Sequence, residues 1–242
     1  LNEEILSIIL NAKKIVLHSF NLNYYNFIKK ISKNIIVIWI FWGIDGYSAI
    51  KKSKYLHTSS LFYQYNFSDL YKFVVRYFLN HFSLKKQRIH KKIINRFNYC
   101  ATWVIEDHNI AKRINPNINP IYFNYYSFDS LKINDIIPKS NNPINLLLGN
   151  SASPTNNHAD ALFFLKKIKF KGVIFCPLSY GGNQIYIKNL INLGKRLFGE
   201  NFCPITKFQS LENYNQILEK CDIFYMNHIR QQAAGNIFTA IA

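Results

Sequence analysis

Leu148-Gly-Asn-Ser-Ala-Ser-Pro-Thr-Asn-Asn-His-Ala-Asp160 and Cys221-Asp-Ile-Phe-Tyr-Met-Asn-His-Ile-Arg-Gln-Gln-Ala-Ala-Gly-Asn236 follow one plan. In each, an apolar strand empties into a turn of small polar residues, and a helix pattern begins on the far side. α/β proteins hold phosphorylated ligands at such turns, because free backbone N–H groups and the helix dipole both favour an anion there. Two such turns in one half of a chain point to a nucleotide-type ligand. Arg230, followed by Gln231 and Gln232, points to a diphosphate on it, since a guanidinium grips phosphate oxygens in pairs.

Outward from these turns the chain alternates strand and helix. Ile144–Leu148 reads as a strand, 157–169 as a helix capped by Asn157, 172–176 as a strand, and 183–198 as a helix. A short strand near 203–208, a helix over 211–220, a strand over 222–226 and a helix from Gln231 complete this half. The first half has the same βαβ rhythm. The apolar runs 15–20 and 35–41 flank a helix-length segment, and Leu70, Phe73, Val74, Tyr77, Phe78 and His81 recur at helical spacing. Leu84, Ile89, Ile93, Ile94 and Phe97 do so again, and 101–105 resumes as a strand ending in Glu106-Asp107. Residues 115–142 are rich in Pro, Asn and Ser, with one short strand over 121–126. Within this region 138–143 is the best linker in the chain. The expected architecture is therefore α/β in two Rossmann-like domains, one over residues 1–137 and one over 144–242. The chain starts at Leu1 and stops at Ala242 inside a helix just begun, so the reading expects a domain truncated at both ends.

With 49% apolar residues in 242, the chain has ample material for cores and does not read as disordered. Its net charge is +17, but Lys, Asn, Ile, Tyr and Phe are abundant together, as an AT-rich genome produces. Only the placement of charge then carries function. Lys85, Lys86, Arg88, Lys91, Lys92 and Arg96 follow one amphipathic helix, which suits an anionic membrane surface; a solvated helix face has the same pattern. A nucleic-acid groove is the weaker reading, since no recognition-helix, RNP-type or zinc pattern accompanies the charge. The four cysteines show no metal-ligand spacing and read as reduced thiols. The longest apolar run, 35–44, is half the ~20 residues a bilayer span requires. CxxC pairs, HExxH, P-loop and GxSxG are all missing, so metal-hydrolase, NTPase and serine-hydrolase chemistry lack their key residues; neither metal nor cofactor is expected.

Three loops offer binding groups. Gly149 lets the backbone turn, Asn150 and Ser151 can line an anion nest, and Asn156 and His158 open the next helix; a plain capped helix start fits the same letters. His158 can bond a sugar or phosphate oxygen. The loop Pro177-Leu-Ser-Tyr-Gly-Gly182 presents Tyr180 at the carboxyl end of a strand. In Trp39-Ile-Phe-Trp-Gly-Ile-Asp-Gly-Tyr47, Asp45 is placed to take a proton from an attacking hydroxyl, though an ordinary Asp turn fits the spacing equally.

At these residues the chain resembles glycosyltransferase family 56, labelled 4-alpha-L-fucosyltransferase. Its members move an N-acetylated amino-fucose from a TDP-sugar to lipid II of enterobacterial common antigen. The resemblance rests on Trp42-Gly43-x-Asp45-x-Tyr47, on Gly149-Asn150-Ser151 with Asn156 and His158, on Pro177 to Gly181 with Tyr186, and on Cys221-Asp222 leading to Arg230-Gln231-Gln232 and Gly235. It implies a GT-B fold, two Rossmann-like domains facing across a cleft, with nucleotide-sugar on the second and acceptor on the first. It implies Gly149, Asn150, Ser151, Asn156, His158, Tyr180, Gln231, Gln232, Gly235 and Asn236 as binding residues on the nucleotide-sugar side. Tyr47 joins them on the acceptor side, and Asp45 and Arg230 are the catalytic pair. The implied partners are a TDP-sugar, an undecaprenyl-diphosphate-linked glycan and an anionic membrane surface, with no nucleic acid. The implied location is the cytoplasmic face of the bacterial inner membrane, peripherally. The rival readings are a non-catalytic or remnant nucleotide-sugar or membrane-binding module and, more remotely, a basic nucleic-acid binder.

Overall fold

The computed structural model describes residues 3–50, 55–66, 71, 74–75, 84–124 and 144–241. The helical pattern read over 70–81 and the linker read over 138–143 lie largely or wholly outside the described residues. The chain forms two compact units. Unit 1 comprises Leu1–Lys52, Leu79–Ser127 and Arg230–Gln232; unit 2 comprises Ser53–Phe78, Phe128–Ile229 and Ala233–Ala242. Each contains a four-stranded parallel sheet, so the α/β expectation of two Rossmann-like sheets holds.

In unit 1 the described strands are β1 (Lys14–His18), β2 (Ile36–Ile40), β3 (Tyr99–Thr102) and β4 (Asn119–Tyr122), in the order β1-β2-β3-β4. Helices α1 (Glu3–Leu10), α2 (Tyr25–Lys30), α3 (Ile44–Tyr47), α5 (Leu84–Ile94) and α6 (Ile105–Ile114) accompany them, and α4 (Thr58–Phe62) belongs to unit 2. Strand β2 is central, which is why its run of β-branched and aromatic residues is nearly continuous rather than alternating. Val37, Trp39 and Phe41 are fully buried, and Phe20 and Phe97 meet the Trp39 ring at 5.3 and 5.4 Å between centroids. Strand β3 stops at Thr102, three residues earlier than the sequence suggested. The Thr102 hydroxyl bonds the Val104 backbone on both sides (3.2 and 3.3 Å), turning the chain so that Glu106 and Asp107 fall in the first turn of α6.

The basic helix α5 carries exposed Lys85, Lys86, Arg88, Lys91 and Lys92. Arg96 does not extend this face. It lies beyond the helix end and donates to the carbonyls of Ser32 and Ile35, tying α5 back to the turn before β2. Among the described residues no helix is long and apolar enough to cross a membrane.

Unit 2 holds β5 (Leu146–Leu148), β6 (Ile174–Pro177), β7 (Phe202–Ile205) and β8 (Ile223–Tyr225), ordered β7-β6-β5-β8. Its helices include α4 (Thr58–Phe62), α7 (His158–Lys167), α8 (Gln184–Phe198), α9 (Leu211–Glu219) and α10 (Ala234–Ile241). Strand β5 shows the two-sided burial directly. Leu146 and Leu148 face Leu162 and Leu165 of α7 and Tyr186, Leu190 and Leu193 of α8, whereas Leu147 faces Leu218 and Tyr214 of α9. The chain steps from β5 outward to β6 and β7 over one face, then returns by α9 over the other to place β8 on the opposite side of β5. The strand order reverses at β5, and in open α/β sheets the crevice beyond the carboxyl ends at such a reversal is where ligands bind.

Candidate functional site

The reversal in unit 2 lies between the loops that follow β5 and β8, the two turns singled out in the sequence. Gly149 leaves β5 with φ +68°, and its N–H is held by the Tyr225 carbonyl at 3.1 Å. A methyl group at this position would come within 2.8 Å of His158 Nε2 and 3.0 Å of Asn156 Oδ1, so both the dihedral and the space demand glycine. Asn156, fully buried, folds the loop on itself by donating to the Ser151 and Ser153 carbonyls at 2.9 and 3.2 Å. The loop after β6 closes over it. Ala152 N–H donates to the Tyr180 carbonyl (2.7 Å), and Asn150 Nδ2 donates to the Tyr180 hydroxyl (3.3 Å), with the Tyr180 ring 57% exposed.

Asn157 is not the helix cap that its position suggests. It adopts a left-handed conformation (φ 52°, ψ 41°) and makes no capping bond. Its side chain instead accepts from the His57 N–H at 2.8 Å and donates to the Asn227 carbonyl at 3.2 Å, while Asn227 Nδ2 donates back to the Asn157 carbonyl at 3.0 Å. This reciprocal pair stitches the β5 loop to the β8 loop across the strand reversal. His158, at 0% exposure, is pushed down by burial to a pKa of about 3, so the ring is neutral throughout the physiological range. A neutral imidazole brings no charge to a phosphate.

Beyond β8 the chain departs from the expected helix start. Helix α10 begins at Ala234, three residues later than read, after Ala233 at φ +61°. Gln231 and Gln232 are therefore outside its first turn, and with Arg230 they group with unit 1. Gly235 stands in the first turn of α10. Asn236, one residue on, donates to the Tyr214 hydroxyl at 2.8 Å, joining α10 to α9.

Unit 1 gathers a second polar cluster at the carboxyl ends of β2 and β3. Asp45 is 2% exposed; Oδ2 accepts from the Trp39 indole at 2.7 Å, and Oδ1 accepts from the backbone N–H groups of Gly46 (3.0 Å) and Trp42 (3.2 Å). Burial raises its pKa, and those three hydrogen bonds oppose the rise. Tyr47 donates to Asp107 Oδ1 at 2.9 Å. Gln231, oriented by its neighbours, donates to Asp107 Oδ2 at 2.6 Å and accepts from the Trp103 indole at 2.5 Å. Asp107 is 1% exposed, and burial pushes its pKa up to about 7, opposed by the Tyr47 bond and reinforced by the charges of Asp45 and Glu106. Tyr47 is driven upward by burial and by Asp107, with Arg230 close enough to work in the other direction.

The structure thus brings Gly149, Asn150, Ser151, Asn156, His158 and Tyr180 together in unit 2. Asp45 and Tyr47 share unit 1 with Arg230, Gln231 and Gln232. Sequence reading missed Trp103 because it carried β3 through it, missed Asp107 because it left that residue at the strand's end, and missed the bridging role of Asn157 because a side chain before a helix looks like a cap. Among the described residues no group of three His, Cys, Asp or Glu could hold a metal ion. No solved structure matches the chain. The family model described as 4-alpha-L-fucosyltransferase glycosyl transferase group 56 matches residues 11–242, so the chain belongs to this family of glycosyl-transferring enzymes.

Proposed function

We propose that this glycosyltransferase moves an N-acetylated amino-fucose, or a related deoxy-sugar, from a TDP-sugar to a polyprenyl-diphosphate-linked saccharide in bacterial surface-polysaccharide synthesis of the enterobacterial-common-antigen type. The observation that carries the reading is the strand reversal at β5, with the Gly149–His158 and Asn227 loops braced across it, in a member of this family. In this proposal unit 2 is the nucleotide-sugar domain of a GT-B enzyme and unit 1 its acceptor domain. Gly149, Asn150, Ser151, Asn156 and Tyr180 shape the nucleotide-sugar pocket, and Gly235 and Asn236 shape the start of α10 beside it.

The acceptor hydroxyl attacks the anomeric carbon, the bond from that carbon to the nucleoside diphosphate breaks, and the hydroxyl proton passes to the enzyme. Arg230, with Gln231 and Gln232, faces the charge that develops on the leaving diphosphate, a task for preorganised donors rather than a covalent step. On the acceptor side Asp45 fixes the turn that presents Tyr47. The proton passes to the Tyr47–Asp107 pair, because a base working near neutral pH needs a pKa near 7 and the buried Asp107 has one. The exposed cations of α5 rest on anionic lipid at the cytoplasmic face, where a lipid-linked acceptor is met.

Mass-detected sugar transfer from a TDP-sugar to a polyprenyl-diphosphate-linked saccharide tests the reading. Arg230→Ala is expected to lower kcat by about 10²–10³. Normal turnover by that variant would remove the leaving-group role, and absence of transfer by the native chain with any TDP-sugar would remove the reaction.

A further inference from the structure

Two stretches far apart in the sequence, Trp42-Gly-Ile-Asp-Gly-Tyr47 and Arg230-Gln-Gln232, are packed together in unit 1. Gly43, at φ +92°, opens the turn into α3, and a β-carbon there would overlap the Gln231 carbonyl oxygen. Glycine is what lets these two backbones close on each other. The Gln231 side chain then lies between the Trp103 indole and the Asp107 carboxylate, at 2.5 and 2.6 Å. An indole N–H donates and never accepts, so the amide atom facing Trp103 is Oε1. Nε2 is thereby turned to Asp107 Oδ2 and donates to it. The reverse orientation would set two donors against each other at the indole, and the amide oxygen against a carboxylate oxygen.

This arrangement divides the work of the two Asp107 oxygens. Oδ2 accepts from an amide that the indole keeps from turning. Oδ1 accepts from the Tyr47 hydroxyl at 2.9 Å, and a hydroxyl can reverse, accepting where it donated. A proton arriving at Asp107 therefore settles on Oδ1. Asp107 is 1% exposed, so that proton arrives through Tyr47 rather than from bulk water.

We propose that Trp103 and Gln231 are positioning residues of the proton transfer, holding Asp107 Oδ2 as a fixed acceptor so that the proton of the attacking hydroxyl passes through Tyr47 to Oδ1. As the attacking oxygen bonds the anomeric carbon, its O–H bond breaks and its proton goes to the Tyr47 oxygen. The phenolic proton of Tyr47 crosses to Oδ1 in the same movement. Asp107 ends neutral, the diphosphate leaves with the electron pair of the broken bond, and Tyr47 is unchanged. Burial holds the Tyr47 phenol above its ordinary pKa, which suits a relay that never rests as phenolate. The proton route rests on the proposed transfer reaction; the fixed amide does not.

Trp103→Phe removes the indole N–H and leaves both partners of the carboxylate in place. The Gln231 amide can then turn and accept from a proton on Oδ2, which favours neutral Asp107. Carboxyl-carbon NMR of aspartate-labelled protein, with Asp107 assigned by its loss in Asp107→Asn, reads this without any substrate. The native midpoint should lie at about 7 and rise by about one unit in Trp103→Phe. The acid limb of kcat/KM for sugar transfer should rise with it, a loss of about ten-fold at pH 6 that largely disappears at pH 9. Gln231→Met, which keeps the side-chain length and lacks the amide, should give the same shift. Asp45 in the turn after β2, Glu106 on the same helix, the buried Cys100 thiol on β3 and Arg230, whose charge reaches Tyr47, also bear on the pair. All four are common to native and variant chains. An unmoved Asp107 midpoint in either variant overturns the fixed amide. A moved midpoint with an unmoved acid limb, or a loss equal at every pH, overturns the proton route. No transfer by the native chain with any TDP-sugar overturns the proposed reaction and the route with it, while the carboxylate titration still decides the amide.

Discussion

Asp107→Asn should change how the stability of unit 1 depends on pH, and the effect can be worked from the structure. The Asp107 carboxyl has its pKa raised from 3.8 to about 7 in the folded chain. The folded form therefore binds this proton more tightly than the unfolded form does. Its stabilising contribution is complete below pH 4 and is lost as pH rises through about 7, at a limiting slope of about 1.4 kcal/mol per pH unit. Three units amount to about 4 kcal/mol at most. Asparagine keeps an oxygen for the Tyr47 hydroxyl but sets an amide against the Gln231 amide, losing one hydrogen bond worth about 1 kcal/mol at every pH. The variant should be the less stable near pH 4 and the more stable by about 3 kcal/mol at pH 8, with the two curves crossing near pH 5. His90, whose pKa burial lowers, favours the folded state as pH rises, but it is common to both chains and cancels in the difference. The assay is built into the sequence: all three tryptophans, Trp39, Trp42 and Trp103, lie in unit 1, so urea melts followed by tryptophan fluorescence report on that unit alone. Parallel curves from pH 4 to 8 would refute the assignment of a shared, proton-holding carboxyl to Asp107.

The remaining expectations concern the loop, its brace and the basic helix. Gly149→Ala forces a β-carbon into a left-handed backbone, costing about 1–2 kcal/mol, and into contact with His158 and Asn156; TDP affinity measured by calorimetry should fall at least ten-fold while unit 1 fluorescence melts stay unchanged. Asn157→Ala loses the bonds to His57 and Asn227 and should destabilise unit 2 by about 2–3 kcal/mol, read as faster hydrogen exchange over 158–167; native protection there would show that the brace is idle. Neutralising Lys85, Lys86, Arg88, Lys91 and Lys92 to Gln should release the protein from phosphatidylglycerol vesicles, at about 1 kcal/mol per charge. Arg96→Gln should spare vesicle binding and destabilise unit 1, because that guanidinium is spent on carbonyls. Equal loss of vesicle binding from Arg96→Gln would refute this division.

What was legible in the sequence is what depends on local pattern. Strand β5 and helix α8 fall within a residue or two of their expected limits, because Leu146–Leu148 and the α8 heptad positions are dictated by burial. Asn183, read as the first residue of α8, is its cap instead, accepting from the Tyr186 N–H at 2.7 Å. Asn157 defeats the same logic, since its partners His57 and Asn227 are contributed by distant segments and no local rule names them. Asp107 was hidden for a related reason. A Thr102 side chain ended β3 early, and that one hydroxyl moved a carboxylate from a strand end into a helix start. The Ser60–Asp160 and Asn189–Tyr63 bonds join residues one hundred or more apart, and nothing in either local pattern marks them.

The stretch from Cys221 to Asn236 reads as a single phosphate turn, yet the folded chain divides it. Tyr225 and Asn227 serve the β5 loop, Arg230–Gln232 join unit 1, and α10 returns to unit 2. The consequence falls on Gln231, whose side chain spans Asp107 and Trp103. In Gln231→Ala the ionised form of Asp107 loses a hydrogen bond that favours it, so the Asp107 pKa should rise further above about 7. The unit 1 stability curve should then begin its descent at the same pH, set by the unfolded chain, but continue to a higher one. Trp103 loses the acceptor of its indole N–H and should change its emission at every pH. Fluorescence melts from pH 4 to 9 measure both at once. If the descent ends where it does in the native chain while the Trp103 emission changes, Gln231 serves the indole alone, and the segment after β8 has no hold on the carboxylate that the proposed proton transfer requires.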